Sequence, residues 1–344
     1  EALLAEEGLT LGHYPQSFEY ATIGGFAATR SSGQSSAGYG RFDALVVGLR
    51  VATPRGELRL GTSPANAAGP DLRQLFLGSE GAYGVLTAVT VRVRRLPAEK
   101  IYEGWHWPSF DAGADAMRTL AQSGLLPTVL RLSDEAETGL NLARPDEIGA
   151  ESTGGCMMIV GYEGEPAANA AKRAAVTSLL ESLGGSCLGE DPGRAWAHGR
   201  FHAPYLRDSL LDVGVLVETL ETATFWSNRD RLYRSVKQAL ETSLGEGTIV
   251  LCHISHVYET GCSLYYTVAT KESADPLPQW LTAKAAACEA MMEAGATITH
   301  HHAVGTDHKP WLTREIGELG GSVLRAVKAD LDPTGILNPG VLIP

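Results

Sequence analysis

LGSEGAYGVLTAVTVRVRR, residues Leu77 to Arg95, decides how the chain is read. Gly81 and Gly84 stand directly before a run in which Val85, Thr87, Val89, Val91 and Val93 alternate with Thr90, Arg92 and Arg94. A period of two marks a strand, here with one wetter face where the arginines fall. Glycine brings no Cβ between backbone and ligand, so a loop like this can lie against a flat ring. Upstream, FDALVVGLRVAT from Phe42 reads as another strand, and ATIGGFAATRSSGQSSAGYG, Ala21 to Gly40, as a loop. In that loop the paired Gly24 and Gly25 would allow close approach. Thr29, Ser31, Ser32, Ser35 and Ser36 add hydroxyls, beside exposed amides suited to a pyrophosphate. Tight turns in a β-rich domain are the bland alternative. The stretch fits neither GxGxxG at a strand-to-helix junction nor GxxxxGKS, which argues against a nicotinamide site or a triphosphate loop.

Beyond about Ile101 the texture changes to helices alternating with strands. Glu165 to Leu183, Asn228 to Leu244 and Leu277 to Ala294 read as helices, each stopped by glycine. In the second, Leu232, Tyr233, Val236, Ala239, Leu240 and Leu244 recur at helical spacing and form a core stripe. Val129 to Leu132, Cys156 to Tyr162, Ile249 to Tyr258 and Cys262 to Thr270 read as strands, the last two joined by a turn at Glu259, Thr260 and Gly261. Helices on one face of a largely antiparallel sheet would bury both apolar surfaces. A final helix is expected from about Trp311 to Leu331, with Leu312, Ile316, Leu319, Val323, Leu324 and Val327 on one side.

At 344 residues, 44% hydrophobic and 20% charged, the chain can bury a full core, which excludes disorder as the main reading. Roughly 150 residues per domain suggests two domains. Lys+Arg 28 against Asp+Glu 40 leaves a net charge of -12, which disfavours a nucleic-acid partner. The five cysteines are odd in number and show no CxxC spacing, so neither a disulfide framework nor a cysteine zinc site is indicated, and a reducing, cytoplasmic compartment is expected. No apolar run reaches the roughly 18 residues of a membrane span, and the first residues lack signal-peptide character. The opening EALLAEEGLTLGHYPQS reads as the end of an amphipathic helix running into a glycine turn, so the chain is expected to begin inside a domain.

Four features carry possible chemistry. His300, His301 and His302 concentrate the side chain best poised to move protons near neutral pH. In extended backbone, His300 and His302 would share one face, so at most two could reach one substrate; a partly buried polar loop is the alternative. A zinc reading would add His253 and His256, but three residues apart on a strand they point to opposite faces, and no metal is expected. On the strand from Cys262, Ser263, Tyr265 and Thr267 share a polar face, while Leu264, Tyr266 and Val268 line the apolar one. Tyr265 either serves a reaction or satisfies a hydrogen bond at the sheet surface. Arg207 offers a planar fork to a carboxylate or phosphate, or pairs with Asp208, Glu218 or Glu221. Arg200 and His202 lie near it in sequence.

TIGGFAATRSSG, YGRFDALVVGLRVATPRGEL and LGSEGAYGVLTAVTVRVR, then PYLRD, SHVYETGCSLYYTVA and THHHAVGTDHKPWL, together resemble the vanillyl-alcohol oxidase and p-cresol methylhydroxylase type of FAD-binding flavoprotein. The resemblance implies an α+β fold: a partial FAD-binding domain with an inserted antiparallel-sheet cap domain covered by helices. It puts the second part of the FAD domain at 1–97, the cap at 98–303 and a segment returning to the FAD domain at 304–344, with the first flavin subdomain absent. It implies FAD as cofactor, with Thr22, Gly24, Gly25, Thr29, Ser32, Gly33, Tyr39, Gly40, Asp43, Glu80, Gly81, Gly84 and Val85 as cofactor-binding residues. Tyr265, His300, His301, His302 and Arg207 fall where the ether-lipid-forming branch has active-site groups. There, Tyr265 with a histidine would take a proton next to the carbonyl of an acylated dihydroxyacetone phosphate. A flavin N5 adduct would form, the fatty acid would leave and a long-chain alcohol would replace it, with Arg207 on the phosphate or the departing acid. Oxidation of a 2-hydroxy acid or alcohol is the alternative, and a non-catalytic partial flavoprotein the third. The expected partner is a small lipid or hydroxy acid; peripheral membrane contact and a homodimer are left open.

Overall fold

A computed structural model describes residues 1–140, 154–201 and 203–344. The chain divides into two compact units: unit 1 is Glu1–Gly33, Gly40–Arg95 and Thr297–Pro344, and unit 2 is Gln34–Tyr39 and Leu96–Ala296. The histidine run, which follows the last strand of the cap in sequence, thus belongs to unit 1.

Unit 1 holds two small antiparallel sheets. Strands β1 (Leu9–Thr10) and β5 (Arg94–Arg95) pair in one; β2 (Val46–Thr53), β3 (Gly56–Leu60) and β4 (Val85–Val91) form the other in the order β3-β2-β4. Three expectations change here. Phe42–Leu45 is a helical turn, because Phe42 and Leu45 must both enter the core, and the strand begins only at Val46. Gly24 and Gly25 lie inside a helix, Ile23–Thr29, whose Thr22 hydroxyl accepts from the Gly25 amide at 2.9 Å. Capping by Thr overrides the glycines' looseness because Phe26 and Ala27 anchor the helix in the core. The alternating run from Val85 is two strands rather than one, since Arg94 and Arg95 leave β4 to pair with Thr10 and Leu9.

The helix Lys309–Leu331 spans the expected residues, but Gly317 sits at φ 75°, ψ 164° and breaks it. The break rotates the apolar stripe: Leu312 is buried, while Leu319 is 79% and Val323 52% exposed. Leu324, Val327 and Leu331 rejoin the core around Phe26, Phe42, Val51, Phe76 and Tyr83.

Unit 2 is one seven-stranded antiparallel sheet. Its strands are β6 (Glu99–Trp107), β7 (Val129–Ser133), β8 (Cys156–Gly164), β9 (Ser186–Gly189), β10 (Val215–Phe225), β11 (Ile249–Ile254) and β12 (Gly261–Lys271), in the order β10-β12-β11-β7-β8-β6-β9. Helices Phe110–Gln122, Pro166–Ser182, Arg229–Leu244 and Pro276–Glu293 supply the apolar partners of one face. Leu130, Leu132, Cys252, Ile254, Leu264, Tyr266 and Val268 point into that core with Met117, Leu180, Val236 and Met291. Burying each such side chain is worth about 1.5–3 kcal/mol, which fixes the strand register and sends the alternate residues to the other face. β11 ends at Ile254, earlier than Tyr258, and an isolated bridge between Val257 and Cys262 tightens the connection to β12. All five cysteines are free, and no described helix is long and apolar enough to cross a membrane.

Candidate functional site

On the face of unit 2 away from the helices, one transverse row crosses four strands. Glu221 on β10 opposes Tyr265 on β12, Tyr265 opposes His253 on β11, and His253 opposes Ser133 on β7. Directly opposed residues in an antiparallel sheet share a face, so four polar side chains are brought side by side. The Tyr265 and His253 rings stack, with centroids 4.8 Å apart and 14° between planes.

Behind this pair stands a charge network. Asp134 caps the short helix Glu135–Gly139 by accepting from the Glu137 amide at 2.8 Å, which aims Glu137 at the sheet. The Glu137 carboxylate lies 3.0 Å from His253 Nδ1, accepts from Ser133 Oγ at 3.2 Å and pairs with Arg131. Arg131 Nη2 also lies 3.0 Å from His253 Nδ1. Burial alone would raise the Glu137 pKa, but Arg131 and His253 outweigh it and hold the carboxyl at about 2. Glu137 is therefore an anion throughout the neutral range. The Tyr265 hydroxyl is pushed above its ordinary value, by burial first and by nearby Glu221 and Glu137, against a hydrogen bond with Thr219 and the Arg131 charge. It is a phenol at neutral pH.

His256 follows β11 and is used separately. Its Nδ1 lies 2.6 Å from Ser36 Oγ, and its amide donates to Ser263 Oγ at 3.2 Å. Arg207, on the helix Ala203–Leu211, pairs with Glu218 on β10 and contacts Asp208 at 3.5 Å. Tyr39 donates to Glu163 at 2.9 Å within unit 2. Arg200 lies over the Trp196 and Phe201 rings, 5.2 and 4.9 Å from their centroids; His202 lies outside the described residues.

Unit 1 holds the rest. His300 is buried and its Nδ1 is 3.0 Å from His301 Nδ1; the His301 and His302 ring centroids are 4.7 Å apart. Thr29 donates to the Gly25 carbonyl at 2.9 Å, and Ser32 is buried. A Cβ on Gly33 would come within 2.8 Å of the Tyr14 amide nitrogen, and one on Gly84 within 2.5 Å of Val51 Cγ1, so both glycines are required by packing. Gly40 and Gly81 turn the chain at φ 87° and 79°. Asp43 is held by Arg41 at 2.9 Å and Arg30 at 3.4 Å. Val85 is exposed beside Ala52 in the sheet. Glu80 binds the chain itself: its two carboxylate oxygens accept from the amides of Val304 and Gly305 at 2.8 and 2.7 Å.

Residues 96–342 match the model of the FAD-linked oxidase C-terminal domain, and residues 1–61 match that of an FAD binding domain. The chain belongs to the FAD-linked oxidases. FAD is thus the cofactor of this family member. An alkyldihydroxyacetonephosphate synthase of Trypanosoma brucei brucei is 34% identical over 99% of this chain and 59% of its own length. One of Dictyostelium discoideum is 33% identical over 100% of this chain and 60% of its own. The chain therefore spans about three fifths of these relatives. A solved alkyldihydroxyacetonephosphate synthase structure superposes with a TM-score of 0.80 at 30% identity, covering 99% of this chain and 62% of that one. The p-cresol methylhydroxylase structure, at 15% identity and a TM-score of 0.75, shares the fold.

Sequence reasoning missed Arg131 and Glu137 and weighed His253 only as a metal ligand. The signal for Arg131 was present: VLRLS places an arginine between apolar residues of a strand, where an unpaired charge would be too costly to bury. Its partner Glu137 comes from a different element, and spacing could not find it.

Proposed function

We propose that this FAD-linked oxidase family member acts as an ether-lipid-forming transferase, replacing the acyl group of an acylated dihydroxyacetone phosphate with a long-chain alcohol. The observation that carries the reading is Tyr265 stacked on a histidine whose Nδ1 lies 3.0 Å from both the Glu137 carboxylate and the Arg131 guanidinium. Such an arrangement moves protons at a fixed place. Tyr265 takes a proton from the carbon next to the carbonyl as its own phenolic proton passes to the carboxylate of Glu221, opposed to it on the same face, while the electron pair left on carbon is drawn into the carbonyl, so no free phenolate is needed. Glu137 stays ionised and holds His253, which in turn keeps the Tyr265 ring from rotating away. Arg207 serves as the anion clamp for the phosphate once Glu218 yields. His300, His301 and His302, as proton-moving imidazoles, are further candidates for this chemistry in unit 1.

The residues of unit 1 suit FAD. The Ser79 hydroxyl is buried with no hydrogen-bond partner among the described residues, in the glycine loop read as the ring's support. Ala21, Thr22 and Ile23 are exposed at the head of the helix carrying Gly24 and Gly25. When bound, FAD supplies a ring that accepts an electron pair and returns it.

The test uses the full-length protein loaded with FAD. Formation of an alkyl ether from acyl-dihydroxyacetone phosphate and a long-chain alcohol, without lasting loss of flavin colour, supports the proposal. Anaerobic bleaching by a 2-hydroxy acid, with no ether product, replaces it by the oxidoreductase reading. Full-length protein that binds no added FAD leaves the non-catalytic reading.

A further inference from the structure

His300 to His302 occupy a segment without regular secondary structure, yet side chains grip it on both sides. Before the run, Glu315 accepts from the Ile298 amide at 2.8 Å and from the Thr297 hydroxyl at 2.7 Å. At the run itself, Arg41 donates to the His300 carbonyl at 3.2 Å. After it, the Glu80 carboxylate takes the Val304 and Gly305 amides, one on each oxygen. Between His302 and that grip, Ala303 sits at φ 71°, a left-handed conformation that costs an alanine about a kcal/mol or more. His308 Nδ1 lies 2.8 Å from the Ala303 carbonyl. Glu80 is itself left-handed, at φ 52°, and its own carbonyl accepts from the Asn338 side chain. Glu80, itself strained, thus makes two charge-assisted hydrogen bonds to the amides that directly follow the strained Ala303, as expected of a segment where position matters.

We propose that Glu80 is a positioning residue for the histidine run. Its carboxylate ties the loop Leu77–Gly84 to the two amides just past Ala303 and so fixes where His300, His301 and His302 stand relative to that loop. The inference rests on the transferase reading only in taking the histidines to serve catalysis; the tie is a property of unit 1 alone. The resemblance implies Glu80 as a cofactor-binding residue; in the structure each of its carboxylate oxygens accepts from a backbone amide. A glutamine in its place keeps the length but offers one acceptor for two amides and turns an NH2 toward the second. Aspartate keeps the charge but falls one methylene short.

The experiment compares wild type, Glu80→Gln, Glu80→Asp and the surface control Arg55→Ala in the full-length, FAD-loaded protein. Two readouts are taken: kcat with KM in the exchange reaction, and the imidazole signals of His300, His301 and His302 in histidine-labelled protein by NMR. Expected for Glu80→Gln is a fall in kcat on the order of tenfold, KM within about twofold, flavin still bound, and broadened or doubled signals of the three histidines. Glu80→Asp should recover part of the kcat and sharpen the signals, and Arg55→Ala should match wild type. Unchanged histidine signals in Glu80→Gln overturn the inference, as does an equal loss in Glu80→Gln and Arg55→Ala. If wild type shows no exchange activity, the transferase reading falls, but the histidine signals still decide whether Glu80 holds the run.

Discussion

Tyr265 lies flat against His253, their ring centroids 4.8 Å apart, because the two residues are opposed in register on neighbouring antiparallel strands. The pairing ties the Tyr265 ring to an imidazole whose Nδ1 lies 3.0 Å from both Glu137 and Arg131. Replacing Tyr265 by Phe keeps the stack and removes only the hydroxyl. The expected result is a fall in kcat of about 10²–10⁴-fold with flavin content and melting temperature unchanged. A steady-state rate near that of wild type would remove Tyr265 from the mechanism.

Glu137→Gln should act on stability as well as rate. The substitution leaves Arg131 half-enclosed without its countercharge, and breaking a buried pair from one side costs about 3–5 kcal/mol. Glu137 is buried and lies at about 2 when folded, below the ordinary carboxylate value. Its contribution to stability is therefore complete above the unfolded value of about 4.3 and declines as pH falls toward 2. Urea unfolding between pH 7 and pH 3 checks both points: the wild-type advantage over the variant should shrink in acid.

Much of unit 2 is legible in the sequence, and for a physical reason. Val236 and Leu240 repeat at helical spacing, and Leu264, Tyr266 and Val268 alternate, because each faces a single packed layer. Unit 1 is harder. The Phe42–Leu45 turn and the helix Ile23–Thr29 are too short to show a period, and what holds them is contact with residues far away in the chain. The site divides the same way. Tyr265 and the histidine run stand out by residue type and face, whereas Glu137 and the amide grip of Glu80 exist only through long-range contact. Arg207 was weighed as either clamp or ion pair, and it is paired with Glu218.

His13 should make unit 1 sensitive to mild acid. Its ring packs on Phe26 and Phe42, with Nε2 3.1 Å from Ser31 Oγ, and burial lowers its pKa from 6.5 to about 4 despite the Asp43 charge. Above pH 6.5 the ring is neutral in both folded and unfolded chains. As pH falls from there toward 4, only the unfolded chain gains the proton, so folding loses on the order of 3 kcal/mol across that window. In His13→Asn this slope should be missing. Equal slopes in wild type and variant would show that other groups carry the acid sensitivity.

Gly84→Ala tests whether the glycine before β4 is there for packing. The added methyl would meet Val51 Cγ1 at 2.5 Å and the Ala52 carbonyl oxygen at 2.9 Å, and backbone cannot step aside cheaply. Overpacking of this kind costs about 1–3 kcal/mol. A drop in the urea midpoint with flavin affinity preserved is expected. A lost flavin with unaltered stability would instead make Gly84 a ligand contact.

Arg207 decides whether the substrate's anion is held in unit 2. Its side chain is 39% exposed and its guanidinium already engaged by Glu218, so a phosphate must compete with that carboxylate. Two substitutions then move in opposite directions. Arg207→Ala should raise KM for the phosphate-bearing substrate by about tenfold, the equivalent of about 1.4 kcal/mol, with kcat changed much less. Glu218→Gln removes the competitor and should lower KM. The same pair assayed with an acylated dihydroxyacetone lacking the phosphate should show neither change. If Arg207→Ala loses as much on that neutral analogue, the arginine serves the helix Ala203–Leu211 through its ion pair, and the anion is bound elsewhere.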